Sequence, residues 1–280
     1  MSRLEVKFWG SRGSLPRNSP DHIKYGGNTS CVEIRHQNQT VIMDGGSGLS
    51  LLGEHLVEQH KTTGENADIH ILFSHFHNDH ICGVPFFAPL YEPGFRVHFH
   101  TVAEDAPHGF QPVLEQYMAA PLFPVEPDIF RAKVMFHQHR SEQAFELAGI
   151  TINSCPMPHP GGAHAYRLSA AGQNVVYATD TVHDTATINR RLVGFIRRAG
   201  LLIYDCTFDD AEFSEVASQG HSTWQEGVRL CQAAEVRHLA IFHHAPYRTD
   251  TELDEIGKKA QILFEGAFVA ADRQLFILGD

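Results

Sequence analysis

The segment Ser74-His-Phe-His-Asn-Asp-His-Ile-Cys-Gly83 packs three histidines and an aspartate into six residues, directly after the apolar run Ile69 to Phe73. The run predicts a buried strand that stops at a sheet edge, where the chain turns and its polar side chains face a pocket. In an extended segment His75 and His77 point the same way, because side chains alternate with period two. Asp79 and His80 come from the following turn and reach the same space from another angle. Histidine supplies 20 of the 280 residues, so a lone His-x-His pair would mean little, but the full His-x-His-x-Asp-His string is far more specific. It predicts a loop that holds two metal ions, which the rest of the chain completes or covers.

Later apolar runs also end on ligating residues. Ile150 to Cys155 leads to His159, Val175 to Ala178 to Asp180, Leu201 to Tyr204 to Asp205, and Leu239 to Phe242 to His243. These runs predict strands that each deliver a His or Asp at the carboxyl end. Two ions need about three protein ligands each, with positions left open for water and substrate. His75, His77 and His159 would serve one ion and Asp79, His80 and His243 the other, with Asp180 bridging both. Asp79 is counted among the catalytic residues as well. Imidazole and carboxylate without thiolate suit two divalent ions, zinc first, with manganese or iron also accommodated.

In the first half, Leu4 to Trp9 alternates like a strand and leads into Gly10-Ser-Arg-Gly-Ser14. This reads as a tight loop; the alternative places Ser11, Arg12 or Ser14 at the pocket rim. Ser30 to Arg35 and Thr40 to Met43 predict two more strands. Asp44, at the end of the second and before Gly45-Gly46, is suited to accept a ring N–H from a metal-bound histidine, or to cap the helix expected over Leu49 to His60. Cys82 to Leu90 suggests a short helix breaking into a loop. His98 with His100, and His137 with His139, read as strand-face histidines. The proline-punctuated stretch Glu104 to Phe130 is either a lid or ordinary surface structure. His183 and His244 stay outside the proposed site.

Bulk properties bound the partners. A formal net charge of -11 argues against a grip on phosphate backbones, so no large nucleic acid is expected and a small anionic substrate is. The start is charged rather than leader-like, and no apolar run is long enough to span a bilayer, so no membrane is expected. Five scattered cysteines without a Cys-x-x-Cys pair fit reduced thiols in the cytoplasm. No repeat or linker interrupts residues 1–280, which reads as a single hydrolase domain. No heptad or interface pattern sets the oligomeric state, a homodimer included.

The metal string resembles the signature of the metallo-β-lactamase fold superfamily, and His159, Asp180 and His243 match its remaining ligands in type and order. Phe8-Trp-Gly-Ser-Arg-Gly-Ser14 and Tyr25-Gly-Gly-Asn-Thr-Ser30 look like the phosphodiesterase branch that includes ribonuclease Z and the cyclic phosphodiesterases. The resemblance implies an α/β fold, an αββα four-layer sandwich with the site at one edge between two sheets. Gly220-His-Ser-Thr223 resembles that branch's His-Ser-Thr motif, whose histidine sits beside the metals. His221 is then the expected acid for the leaving group, since an imidazole titrates near neutrality. Asp205 stands where the branch carries an acidic partner for this histidine. Ribonuclease Z usually has glutamate there, so the tertiary structure decides whether the shorter side chain reaches. Capping of the next helix is the other role open to His221. The expected chemistry is hydrolysis of a small cyclic or linear phosphodiester by a metal-bound hydroxide. Thiol-ester or lactone hydrolysis, and a non-catalytic metal-binding sensor, are the alternatives.

Overall fold

Alternation along the strands dictates how the layers stack. The computed structural model describes residues 3–64, 67–102 and 109–279. In chain order the elements are β1 (Leu4–Gly10), β2 (Cys31–His36), β3 (Gln39–Met43), α1 (Gly48–Thr63), β4 (Asp68–Leu72), α2 (Asn78–Ile81), β5 (Arg96–Val102), α3 (Gln111–Tyr117), β6 (Lys133–His139), β7 (Phe145–Leu147) and β8 (Ile150–Met157). There follow β9 (Ala163–Ala170), β10 (Gln173–Ala178), α4 (Arg190–Ile196), β11 (Leu201–Asp205), α5 (Phe213–Val216), α6 (Trp224–Ala233), β12 (Leu239–Phe242), α7 (Asp250–Leu263), β13 (Ala267–Val269) and β14 (Leu275–Leu278).

The strands form two seven-stranded sheets, ordered β14-β1-β2-β3-β4-β5-β6 and β13-β12-β11-β10-β9-β8-β7. Both are mixed. In the first, β3 to β6 run parallel and the rest antiparallel. In the second, β10 to β13 run parallel and β7 to β10 pair antiparallel. One face of each sheet meets the other: Val6, Phe8, Ile34 and Leu72 pack with Ile152, Tyr166, Val175, Ile203 and Phe242. The opposite faces bury helices. Leu49, Leu52 and Leu56 of α1 lie on Ile69, Ile71 and Phe99, and Val228, Leu230, Leu253 and Ile256 of α6 and α7 lie on Val176, Leu202 and Ile241. Helix, sheet, sheet and helix make the αββα sandwich, and each fully buried Leu, Ile or Phe in these layers contributes about 1.5–3 kcal/mol. Parallel strands place their carboxyl ends along one edge, so the loops after β3, β4, β10, β11 and β12 converge there.

Among the described residues, Cys82 to Leu90 forms two short 3₁₀ turns, Val84–Phe86 and Ala88–Tyr91. Glu104 to His108 lies outside the described residues. The rest of the proline-punctuated stretch covers the first sheet: Phe110, Leu114 and Met118 are buried against it. Tyr117 also donates from its hydroxyl to Asn78 Oδ1 at 2.9 Å, which ties α3 to the start of α2.

The strand-face histidines form a ladder on the inner face of the first sheet. His70 Nδ1 lies 3.0 Å from His100 Nε2, and His100 Nδ1 lies 2.9 Å from His139 Nε2. Burial, and then the neighbouring imidazole His98, lower His70 to about 4 against a partial offset from Asp68. Burial and then His137 lower His139 to about 4, and burial and the surrounding imidazoles push His100 further down. Folded His70 and His139 thus bind fewer protons than the unfolded chain between about pH 4 and 6.5. The ladder carries no penalty above that window and an increasing one as pH falls through it. Replacing both residues, His70→Leu with His139→Leu, should therefore shrink the loss of stability between pH 7 and pH 4.5, read from urea unfolding at the two pH values.

Candidate metal centre

The ligating residues come from the carboxyl ends of both sheets, and the backbone there is unusual. Asp44, Asp180 and His243, immediately after β3, β10 and β12 or one residue beyond, all have positive φ, at 57°, 57° and 59°. Non-glycine residues occupy this left-handed region at a cost that the surroundings must offset, and functional sites are where such residues collect. The turn brings each side chain back over the sheet edge.

His75, His77, His159 and Asp180 each place a ligand atom within 4.8 Å of the others, and so do Asp79, His80 and His243. His77 Nδ1 is 3.0 Å from His159 Nε2. On the other side, Asp79 Oδ2 is 3.2 Å from His243 Nε2 and 3.3 Å from His80 Nε2. Asp180 stands between the groups. Its Oδ1 lies 3.8 Å from both His75 Nε2 and His159 Nε2, and its Oδ2 lies 3.1 Å from His80 Nε2 and 3.3 Å from His243 Nε2.

Four of the imidazoles are aimed by their other nitrogen. His80 Nδ1 donates to Asp44 Oδ2 at 2.7 Å, His159 Nδ1 to the Gly220 carbonyl at 2.9 Å, and His243 Nδ1 to Thr207 Oγ1 at 3.0 Å. His75 Nδ1 faces Ser74 Oγ at 3.1 Å. Fixing the proton on Nδ1 leaves the Nε2 lone pair turned to the centre, as metal-bound histidines require. The Nε2 atoms of His75 and His80 are buried and have no hydrogen-bond partner, which fits nitrogens that await a cation. Glycines let the rings stand so close. A Cβ on Gly13 would come 2.2 Å from the His243 ring, and one on Gly220, at φ +87°, would come 2.9 Å from His159 Nδ1.

The electrostatics suit a cation. Burial, then His80, hold His75 well below the usual histidine range, and burial likewise lowers His77 and His159, so all three are free of protons that would compete with a metal. Burial also opposes a charged His80, yet Asp79, Asp180 and Asp44 raise its pKa, the sign of a pocket with negative charge to spare. Asp79 is itself held by the Ser14 amide, which donates to Oδ2 at 2.7 Å.

His221 adjoins this centre. Its Nδ1 is 3.0 Å from Asp205 Oδ2 and 3.6 Å from Asp180 Oδ1. The aspartate therefore reaches, in spite of its shorter side chain. Burial would lower His221, but the charges of Asp205 and Asp180 raise it to about 9. His221 does not cap the next helix; Thr223 does, accepting from the Glu226 amide. Nor does Asp44 cap α1, which starts after Ser47. A cavity of about 160 Å³ opens beside His75 and His77, walled by Phe73, Phe76, Thr101, Val102 and Gly161.

Two supporting residues, Tyr177 and Thr207, carry no signal in the sequence. Tyr177 donates to Asp44 Oδ2 at 2.8 Å from the opposite sheet. Thr207 Oγ1, beside both Asp205 Oδ1 at 2.7 Å and His243, links the two. Arg12, fully buried, donates to the carbonyls of Gly26, Ala245 and Arg248, so it braces the loop after His243 rather than lining the pocket.

The model of the beta-lactamase superfamily domain matches residues 39–244. The chain belongs to the metallo-β-lactamase superfamily. Ribonuclease Z of Methanosarcina acetivorans is 24% identical over 96% of both chains. Ribonuclease Z of Halalkalibacterium halodurans is 35% identical over a segment that spans 34% of this chain and only 30% of that protein. Among solved structures, the metallo-beta-lactamase fold protein YhfI from Bacillus subtilis shares the fold with a TM-score of 0.74 at 19% identity, over 99% of this chain and all of that one. Human tRNase Z, short form, does so with a TM-score of 0.64 at 17% identity, over 99% of this chain and 100% of that one.

These relatives correct one expectation. Relatives named as ribonucleases overturn the inference that no large nucleic acid is a partner. That inference rested on net charge, which sums the whole surface and says nothing of the local field in one pocket. The chain has no helix long and apolar enough to cross a membrane among its described residues.

Removing the charge that orients His80, with Asp44→Asn, should lower metal affinity about 10- to 100-fold. Gly13→Ala should do the same by displacing His243. Both effects are measured as retained metal per protein after dialysis against a weak chelator.

Proposed function

We propose that this chain is a binuclear metal-dependent phosphodiesterase. The observation that carries the reading is the placing of Asp180, one oxygen toward His75 and His159 and the other toward His80 and His243. In this reading His75, His77 and His159 hold one divalent ion, Asp79, His80 and His243 hold the second, and Asp180 spans both. The donor set suits zinc, with manganese or iron also accommodated; none of the described cysteines belongs to either ligand group. Bound there, the two cations supply Lewis acidity toward the phosphoryl oxygens and lower the pKa of water.

The chain's own residues do the rest. The Ser14 amide keeps Asp79 turned inward, and Thr207 and Asp44 keep His243 and His80 in one orientation. His221 carries a proton at its free nitrogen for the departing oxygen of the diester, and Asp205 holds its Nδ1–H. Burial is outweighed by the carboxylates of Asp205 and Asp180, which keep His221 protonated, the state from which it can give up a proton. The walls of the cavity beside His77 offer Phe73, Phe76 and Val102 to the organic part of the substrate.

The reaction centre requires only a diester, so small cyclic or linear diesters and RNA both enter the test. His221→Ala should keep its metals and lose about 10²- to 10⁴-fold in turnover of a chromogenic phosphodiester, whereas Asp180→Ala should lose metal, as counted by elemental analysis. Unchanged metal and activity in Asp180→Ala would remove the bridging role. Assays on cyclic nucleotides, RNA with a 3′ extension and a thiol ester complete the set. Turnover of the thiol ester alone would replace the phosphodiesterase reading.

A further inference from the structure

The histidine ladder takes no part in the centre described above, and its geometry has a use of its own. His70 on β4, His98 and His100 on β5, and His137 and His139 on β6 share the inner face of one sheet. One nitrogen from each of His70, His98 and His100 lies within 4.8 Å of the other two. Three nitrogen pairs are closer: His70 Nδ1 to His100 Nε2 at 3.0 Å, His98 Nδ1 to His137 Nε2 at 2.9 Å, and His100 Nδ1 to His139 Nε2 at 2.9 Å. Two nitrogens bound to one ion at about 2.0–2.1 Å stand about 2.9–3.4 Å apart for angles from about 90° to tetrahedral. His70 and His100 already sit at the spacing that a shared ion needs, and His98 brings a third nitrogen within 4.8 Å of both.

We propose that His70, His98 and His100 form a second metal site, separate from the candidate centre, that takes a divalent late transition metal ion. Three imidazoles without thiolate suit copper, nickel or zinc, while magnesium and calcium prefer oxygen. His98 Nδ1 is hydrogen-bonded to His137 Nε2, while its Nε2 is buried without a hydrogen-bond partner, 2.7 Å from Asp68 Oδ1. With Nε2 on the ion, Nδ1 keeps a partner that orients the ring, as metal-bound histidines have. Burial keeps His70 and His100 neutral at pH 7, so an ion displaces only the ring proton between His70 Nδ1 and His100 Nε2, which moves to the far nitrogen of its own ring. At the β6 end of the ladder His139 lines a cleft together with Gln138, Gln143 and Phe145. Such an ion would clip β4 to β5 just ahead of the loop that carries His75.

The inference does not depend on the proposed activity, and Cu2+ is the probe. Protein already loaded with zinc is equilibrated with Cu2+, freed of excess, and analysed for both metals. Wild-type protein should retain one copper per chain beyond an unchanged zinc content, with nitrogen hyperfine structure in its electron paramagnetic resonance spectrum. The double variant His70→Gln with His98→Gln should lose that copper, keep its zinc and keep its circular dichroism. Since a buried change at His70 can disturb folding, the single variant His98→Asn, whose side chain is 15% exposed, is measured beside it and should bind copper at least 10-fold more weakly. Copper bound equally by wild type and both variants, copper gained only as zinc is lost, or no copper retained at all, would each overturn the second site.

Discussion

One buried carboxylate joins the two sheets at the edge where the chemistry is assembled. Asp44 accepts from the Ser74 amide and hydroxyl and from His80 Nδ1, each at 2.7 Å, and from the Tyr177 hydroxyl at 2.8 Å. Tyr177 belongs to the second sheet and the others to the loop after β4, so the group ties β10 to the metal loop. A buried charge without such partners would be strongly unfavourable, and with four donors it locks the layers in one register. The orientation of His80, and through it one side of the centre, depends on that lock.

The same logic extends outward. The Asp205 carboxylate accepts from His221 and from Thr207, whose oxygen also faces His243. Gly220, next to His221, accepts from His159. The loops after β8, β11 and β12 are therefore coupled through hydrogen bonds that satisfy buried polar groups and set ring tautomers together. A change at one of these supports acts on several ligands at once, which is why their contributions will not add. Arg12 extends the network by donating to three carbonyls, those of Gly26, Ala245 and Arg248.

Within the candidate site, much was legible in the sequence because strand ends announce themselves. Apolar runs that stop on His or Asp identified His159, Asp180, Asp205 and His243 without any contact information, and the spacing of His75, His77, Asp79 and His80 identified the loop. The layered fold followed from the resemblance rather than from the runs alone. What stayed hidden was of two kinds. Tyr177 and Arg12 act across long sequence separations, and no local pattern marks a residue whose partner lies 133 or 236 positions away. Nucleic acid as a partner was misjudged because composition averages over a surface that the substrate meets at one point.

By itself the sequence set out the candidate side chains, imidazoles and carboxylates without thiolates, and placed them where strands end. Only the tertiary structure decided how those ligands divide. The two oxygens of Asp180 face different histidine groups, and Asp205 reaches His221 although its side chain is short. It also decided that His70, His98 and His100 meet at all. Each was readable as a polar residue on a strand, but strand neighbours are set by sheet order and register, and those follow from packing two apolar faces together.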